Sequence, residues 1–250
     1  MKVDAIREHL EWRFLQFKYY TSGKLLTRTV GGESVTLGVG SFREFLRAID
    51  YQNEDFVIET LLSKIEPNDV FWDIGANIGT HSCYIGQRGN QIVAIEPHPE
   101  TASRARENME RNGVDGVVLE YALSDVEGTT SLCIPDKDTY EIGTGTFTTK
   151  SGDKMKEIEK VTATTGDNLI EEHELPLPDI IKIDVEGVEL DVIRGFKTGL
   201  ENSHSILVEI HPQHTDIENI RSLLISAGYE LRTLRQRNNE IHILGSKLNK

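Results

Sequence analysis

Residues 70–82, VFWDIGANIGTHS, carry the decision about the fold. A run rich in apolar and aromatic residues, Val70 to Ile74, reads as a buried strand and gives way to Gly75 and Gly79. Gly75 permits a tight turn, Gly79 permits close approach of a helix to a strand or ligand, and the turn feeds a helix N-terminus whose free N–H groups favour polar or anionic partners. The spacing is GxxxG. It lacks the GxGxxG fingerprint of dinucleotide binding and the GK[ST] ending of an NTPase loop.

Outward from this turn the pattern repeats. Strands read at Gln91 to Glu96, Val117 to Ala122, Ile180 to Asp184 and Ile206 to Ile210, with helical segments between most of them, predict a parallel sheet covered by helices on both faces. A helix near Ile217 to Ala227 then leads to YELRTL, the turn-like RQRNN and EIHIL, an antiparallel hairpin closing one edge of the sheet. Asp136 to Lys160, rich in Thr, Gly, Lys and Asp, fits neither element type and reads as an insertion after the third strand. Loops of that length inside a domain are often functional.

Upstream, Asp4 to Tyr20 reads as an amphipathic helix whose Ile6, Leu10, Phe14 and Phe17 face is expected to pack on the rest of the chain. TRTVGGESVTLGVG gives a hairpin around Gly31 and Gly32, and SFREFLRAIDYQNEDFVIETLLSKI one or two helices begun by Ser41. Residues 1–65 are therefore expected to form a small extension over a main domain of residues 66–250.

Composition narrows the function. Lys and Arg total 27 against 41 Asp and Glu, and a formal charge of -14 works against a nucleic-acid partner, which needs basic patches. Cys83 and Cys133 form neither a disulfide framework nor a CxxC knuckle, no window reaches membrane-spanning length, and the N-terminus lacks the apolar core of a signal peptide. A cytoplasmic protein is expected.

The second strand sharpens the turn. QIVAIEPHP ends in Glu96, 21 residues after Gly75, where an acid accepts hydrogen bonds from both hydroxyls of a ribose. The plainer alternative is an exposed strand-end acid before a proline turn; paired with Gly75 and Gly79, Glu96 points to an adenosine-containing ligand.

DIGANIGTHS, AIEPHP, YALSDVEG, KIDVEGVELDVIRG and VEIHP together resemble the FkbM-type family of S-adenosylmethionine-dependent methyltransferases, from about Asp55 to the C-terminus. KIDVEGVE is the most specific piece. The resemblance implies a Rossmann-like, class I methyltransferase fold of the α/β class: a seven-stranded, mostly parallel sheet with an antiparallel last strand. It also implies that Asp73, Gly75, Ala76, Asn77 and Gly79 surround the methionine part of the cofactor, that Glu96 takes the ribose, and that Ala122, Leu123 and Ser124 border the adenine. The chain departs from the family at VTATTGDNLI, where Thr165 and Gly166 precede Asp167 and leave the local helix start open.

KIDVEGVELD places Asp184, Glu186, Glu189 and Asp191 within eight residues. Asp184 lies at a strand end, where ligands of open α/β sheets bind, and a carboxylate there gains from the cofactor's cationic sulfonium and amino groups. Glu189 fits a helix start opposing the dipole, Asp191 a solvated helix position, and Glu186 sits between the two roles. Asp184 and Glu186 with Glu209 or His211 also make an alternative Mg²⁺ donor set, but acidic helix starts without a metal are commonplace, and no metal is expected. His211 is the candidate general base, with Glu209 or Asp184 orienting it or the acceptor; His81 is a second histidine near the methionine moiety and His214 a solvated one.

No [ND]PP[YF] motif is present, and the resemblance implies O-methylation of a hydroxyl on a sugar, glycan or natural-product-like small molecule. The polar insertion with Tyr140 suits a carbohydrate. A non-catalytic adenosyl-binding scaffold, with the N-terminal helix mediating assembly, is the alternative, and a homodimer is compatible with either.

Overall fold

The computed structural model describes residues 2–49, 55–135, 155–237 and 239–247. The chain begins with α1 (Lys2–Thr21), a hairpin of β1 (Leu25–Val30) and β2 (Glu33–Gly38), and helices α2 (Phe42–Ala48) and α3 (Asp55–Lys64). Strand–helix alternation follows in β3 (Val70–Ile74), α4 (Thr80–Gly86), β4 (Gln91–Ile95), α5 (Pro99–Arg111) and β5 (Gly116–Leu119). Next come β6 (Ala122–Leu123), β7 (Gly128–Pro135) and β8 (Met155–Thr164). The remainder is α6 (Gly166–His173), β9 (Ile180–Ile183), α7 (Glu189–Arg194), α8 (Lys197–Asn202), β10 (Ser205–Ile210), α9 (Ile217–Ser226), β11 (Glu230–Gln236) and β12 (Ile241–Ser246).

Seven strands form one sheet in the order β11-β12-β10-β9-β3-β4-β5. β10, β9, β3, β4 and β5 run parallel, while β12 is antiparallel to both β10 and β11. This is the expected α/β arrangement, closed at one edge by the terminal hairpin. Strand alternation sorts the side chains onto two cores. Trp72, Ile74, Ile181 and Ile183 pack with the α6 to α9 side, while Phe71, Ile92, Ala94 and Ile180 pack with α4, α5 and the N-terminal elements. Burying each large apolar side chain contributes roughly 1.5–3 kcal/mol, so the central strands anchor the fold from both faces.

The N-terminal elements share the second of these cores, since Leu26, Val30, Val35, Leu37 and Phe45 belong to the same cluster as Phe71 and Tyr84. Polar contacts fix the docking. Asn108 of α5 accepts from Gly38 N at 2.7 Å, and Asn112 both accepts from Thr36 N at 2.8 Å and donates to Thr36 O at 2.9 Å. Asn112 thus satisfies an edge-strand peptide that would otherwise lose its partner.

Several expectations change. The third strand of the repeat stops at Leu119 and does not reach Ala122, because Ala122 and Leu123 leave the main sheet to pair with Ala163 and Thr164 of β8. Met155 to Lys160, expected to be irregular, are strand, paired antiparallel with β7 from Pro135 to Ser131. Lys and Glu hold four of the six positions of MKEIEK, which therefore has no apolar period to read. Residues 136–154, with Tyr140, lie outside the described residues. In α1 the packed residues are Leu15 and Tyr19, with Tyr19 against Phe45; Trp12 touches Phe42 edge-on but is exposed, as are Phe14 and Phe17. The side chains of Ile6 and Leu10 lie outside the description. Thr165 resolves the open helix start: it caps α6 by accepting from Asn168 N at 3.0 Å.

Candidate active site

The carboxyl ends of β3, β4 and β9 open into a cavity of about 370 Å³. One wall is backbone. Gly75 turns at φ 78°, and a Cβ there would lie 1.9 Å from the Asp184 carbonyl oxygen, so only glycine lets the β3 turn nest against the end of β9. Ala76 N donates to Ile95 O at 3.0 Å, Asn77 takes a left-handed conformation at φ 52°, and both line the cavity. Gly79 does not. It faces Ala105 of α5 and, at φ 78°, caps α4, so it sets the helix against its neighbour.

Glu96 follows β4 and is nearly fully buried on the cavity wall. Its Oε2 accepts from Asn77 N at 3.0 Å and its Oε1 from His98 N at 3.0 Å. Burial pushes its pKa up to about 7 despite those two amides. Each carboxylate oxygen keeps a further lone pair, which suits the vicinal hydroxyls of a ribose. Ala122, Leu123 and Ser124 line the same cavity, giving a flat base an apolar ledge with a polar end. On this donor set an adenosyl ligand fits.

Asp73, expected around the methionine moiety, does not line the cavity. It is fully buried off the cavity wall, accepting from Ser82 N at 3.1 Å, Ser82 Oγ at 2.8 Å and Lys182 Nζ at 3.3 Å. Sheet register puts Asp73 directly beside Lys182. Lys182 Nζ also lies 3.4 Å from Asp184 Oδ2, so the ammonium bridges a structural acid below and a cavity acid above. Burial alone would lower the lysine pKa, but Asp73, Asp184 and Glu209 outweigh it and hold it above its ordinary value.

The other wall is built of side chains from separate elements. Asp184, Glu186 and Glu209 line the cavity, and His211 stands just behind them. Its Nδ1 is 2.6 Å from Glu189 Oε1, while its Nε2 is 3.4 Å from Glu186 Oε2 and 3.6 Å from Glu209 Oε1. Glu209 Oε2 lies 3.1 Å from Nε2 of the fully buried His242. Burial would lower the His211 pKa, but the hydrogen bond to Glu189 and the charges of Glu186, Glu189 and Asp184 raise it to about 9. Burial would raise Asp184, yet Lys182, His211 and His81 keep it below the usual carboxylate range. Burial and the Asp184 charge hold Glu209 above that range. His81, on the cavity wall, is driven down to about 4 by burial and by Lys182.

Glu189 does start α7, but it is fully buried rather than facing water, and Oε1 also accepts from Gly187 N at 2.8 Å. The chain reaches it through Glu186, held at φ 48°, and Gly187 at φ 100°. A left-handed glutamate is uncommon, and here it aims a carboxylate at the cavity. Asp191 also lines the cavity, whereas His214 is exposed as expected. Asp184, Glu209 and His211 each bring one ligand atom within 4.8 Å of the others, a donor set able to hold a divalent ion.

The sequence reading missed Lys182, His242 and the buried grip of Glu189 on His211. Lys182 left a signal: a cation inside the apolar run IIKI of a strand buried on both faces must meet a counter-charge. His242 left none, because only tertiary pairing of β12 with β10 sets it opposite Glu209.

A family model described as the methyltransferase FkbM domain matches residues 73–231. The chain is 33% identical to the hexuronic acid methyltransferase AglP of Haloferax volcanii over 88% of each protein. It is 25% identical to the 31-O-demethyl-FK506 methyltransferase FkbM of Streptomyces tacrolimicus, over 66% of this chain and 74% of that one. Among solved structures, the magnesium protoporphyrin IX methyltransferase of Synechocystis PCC 6803 with bound SAM superposes at a TM-score of 0.50 and 11% identity, covering 81% of this chain and 82% of that one. The ribosomal protein L11 methylase of Lactobacillus delbrueckii subsp. bulgaricus gives 0.50 at 14% identity, covering 80% of each. These last two likenesses are of fold.

Proposed function

Because the chain belongs to the FkbM family of S-adenosylmethionine-dependent methyltransferases, we propose that it methylates a hydroxyl of an acidic sugar, free or within a glycan. The observation that carries this reading is one cavity lined by the Gly75 turn, with Glu96 on its β4 side and Asp184 and Glu209 on its β9 and β10 side. The relative named for hexuronic acid supports the acidic sugar.

In this reading Gly75, Ala76 and Asn77 hold the methionine part of the cofactor, Glu96 its ribose, and Ala122 to Ser124 its adenine. Asp184 takes the amino group, fixed from below by Lys182 and Asp73. Gly79 acts by placing α4. When bound, the cofactor supplies a methyl group on a cationic sulfonium. Aligning an acceptor oxygen with that carbon is worth up to about 7–11 kcal/mol, so much of the protein's work is positioning.

Removing the hydroxyl proton falls to His211, oriented by Glu189 and Glu209. With a pKa near 9, His211 is protonated in the ligand-free site at neutral pH and becomes a base as it loses that proton. A cation bound beside Asp184 would bring the value down toward neutrality. Lys182 already gives Asp184 its counter-charge, so in this reading no resident metal is required and chelation leaves the rate unchanged.

The test is transfer of labelled methyl from the cofactor to a panel of uronic acid glycosides, neutral glycosides, glycolipids and small alcohols. Label on an acidic sugar is the expected result, with loss of turnover but retained cofactor binding in His211→Asn. Cofactor binding without transfer to any acceptor would instead describe a non-catalytic adenosyl-binding module.

A further inference from the structure

The cavity does not end at the sheet. Arg28 of β1, Ala48 of α2, and Asp55 and Ile58 of α3 line it together with Glu96 and Asp184, so the N-terminal elements form part of its wall. Arg28 is out of place by ordinary packing rules. It shares a strand face with the buried Leu26 and Val30, where a charge is costly unless it is paired or used.

Its bonds are only partly committed. Arg28 Nη2 donates to both Asp55 oxygens, at 2.7 and 2.6 Å, and Nη1 donates to Ala48 O at 2.8 Å. That leaves Nε–H and one Nη1–H without a hydrogen bond among the described residues. The adjoining Tyr84 is fully buried, and its hydroxyl has no partner among them either. Both Arg28 and Asp55 act on that hydroxyl electrostatically.

The rest of the lining is strongly acidic, with Glu44, Glu96, Asp184, Glu186, Asp191 and Glu209 on the wall. An anionic acceptor entering this field needs a cation. Lys182 is held between Asp73 and Asp184, and burial keeps His81 neutral. Among the described residues Arg28 is the lining cation that still has unspent donors, Nε–H and one Nη1–H.

We propose that Arg28 reads the carboxylate of an acidic sugar acceptor, and that Asp55 holds the guanidinium in position and tempers its charge until the acceptor arrives. This rests on the acidic-sugar reading above. Arg28 and Asp55 are then specificity-determining residues supplied by the N-terminal extension.

The experiment compares a glucuronic acid glycoside with the matching glucoside, which differs only at C6, in the full chain and three variants. Cofactor affinity serves as the check on folding. A charge-assisted hydrogen bond corresponds to about 10- to 100-fold. Arg28→Gln should therefore lower kcat/KM for the glucuronide by that factor relative to the glucoside, and Arg28→Lys should lose less. Asp55→Asn should shift the ratio the other way, toward the glucuronide. A purely structural pair would move both substrates equally, and that result, or Arg28→Gln and Asp55→Asn changing the ratio in the same direction, overturns the proposal. Should Arg28→Gln not fold, the sign of the Asp55→Asn effect decides alone. If the unaltered protein methylates only the glucoside, this inference fails while the methyltransferase reading stands; if it methylates neither sugar, the acidic-sugar reading fails first.

Discussion

The two ends of the cavity are made differently. The end formed by β3 and β4 is backbone, a glycine turn and two amides on Glu96, drawn from residues 75–98. The end formed by β9 and β10 is a set of ionisable side chains, Lys182, Asp184, Glu186, Glu189, Glu209 and His211, with His242 arriving from the terminal hairpin. Backbone geometry is rigid and tolerates changes of side chain nearby. A charge cluster is held by mutual compensation, so losing one member strands the others.

That contrast is most sharply tested at Lys182. Lys182→Met leaves Asp73 and Asp184 without their shared cation, and chemical denaturation should register a loss of about 3–5 kcal/mol. A loss below about 1 kcal/mol would mean the cluster is no more interdependent than the turn.

His211 tests the same end through pH. Its folded pKa, about 9, is raised above the unfolded value of 6.5, so the stability it contributes is fully present below pH 6.5 and disappears as pH rises through 9. Relative to the double variant Glu189→Gln/His211→Gln, the unaltered chain should be ahead by on the order of 3 kcal/mol at pH 6 and level by pH 10. Parallel stability curves across that range would remove His211 from the cluster's charge balance.

Glu96→Gln should have the smallest effect on the fold and a local effect on binding. Gln keeps one oxygen where Asn77 N and His98 N now use two, so one amide loses its acceptor, while the buried acid that resisted ionisation is gone; stability at pH 8 should fall by only about 1 kcal/mol. Cofactor affinity measured by calorimetry should fall about 10- to 30-fold while the acceptor KM stays unchanged. If the acceptor KM moved instead, the two ends of the cavity would not divide the ligands as described.

The same contrast explains what could be read in advance. Gly75, Glu96 and the strand carrying Asp184 were legible because a short stretch of chain contains both the turn and the group it presents, and periodicity fixes which strand end each occupies. His211 could be named from VEIHP, but not its protonation, which depends on a glutamate 22 positions earlier being fully buried against it. Asp73 was assigned to ligand from its place in the motif, whereas register beside Lys182 gives it a structural partner. Met155 to Lys160 of β8 went unread because MKEIEK is mostly charged, and the buried pair Leu132 and Val161 comes together only once β7 and β8 pair.

The sequence by itself determined the α/β repeat, the closing hairpin, the glycine turn with Glu96 beside it and the identity of the acids at the fourth strand end. Those follow from local periodicity and from turn chemistry that acts within a few residues. Only the tertiary structure decided which charges neutralise one another, that Glu189 lies inside rather than on the surface, and that Arg28 of the N-terminal hairpin faces the same cavity as Glu96 and Asp184. Electrostatic pairing depends on distance and burial between elements far apart in the chain, and neither quantity is written in the order of the residues.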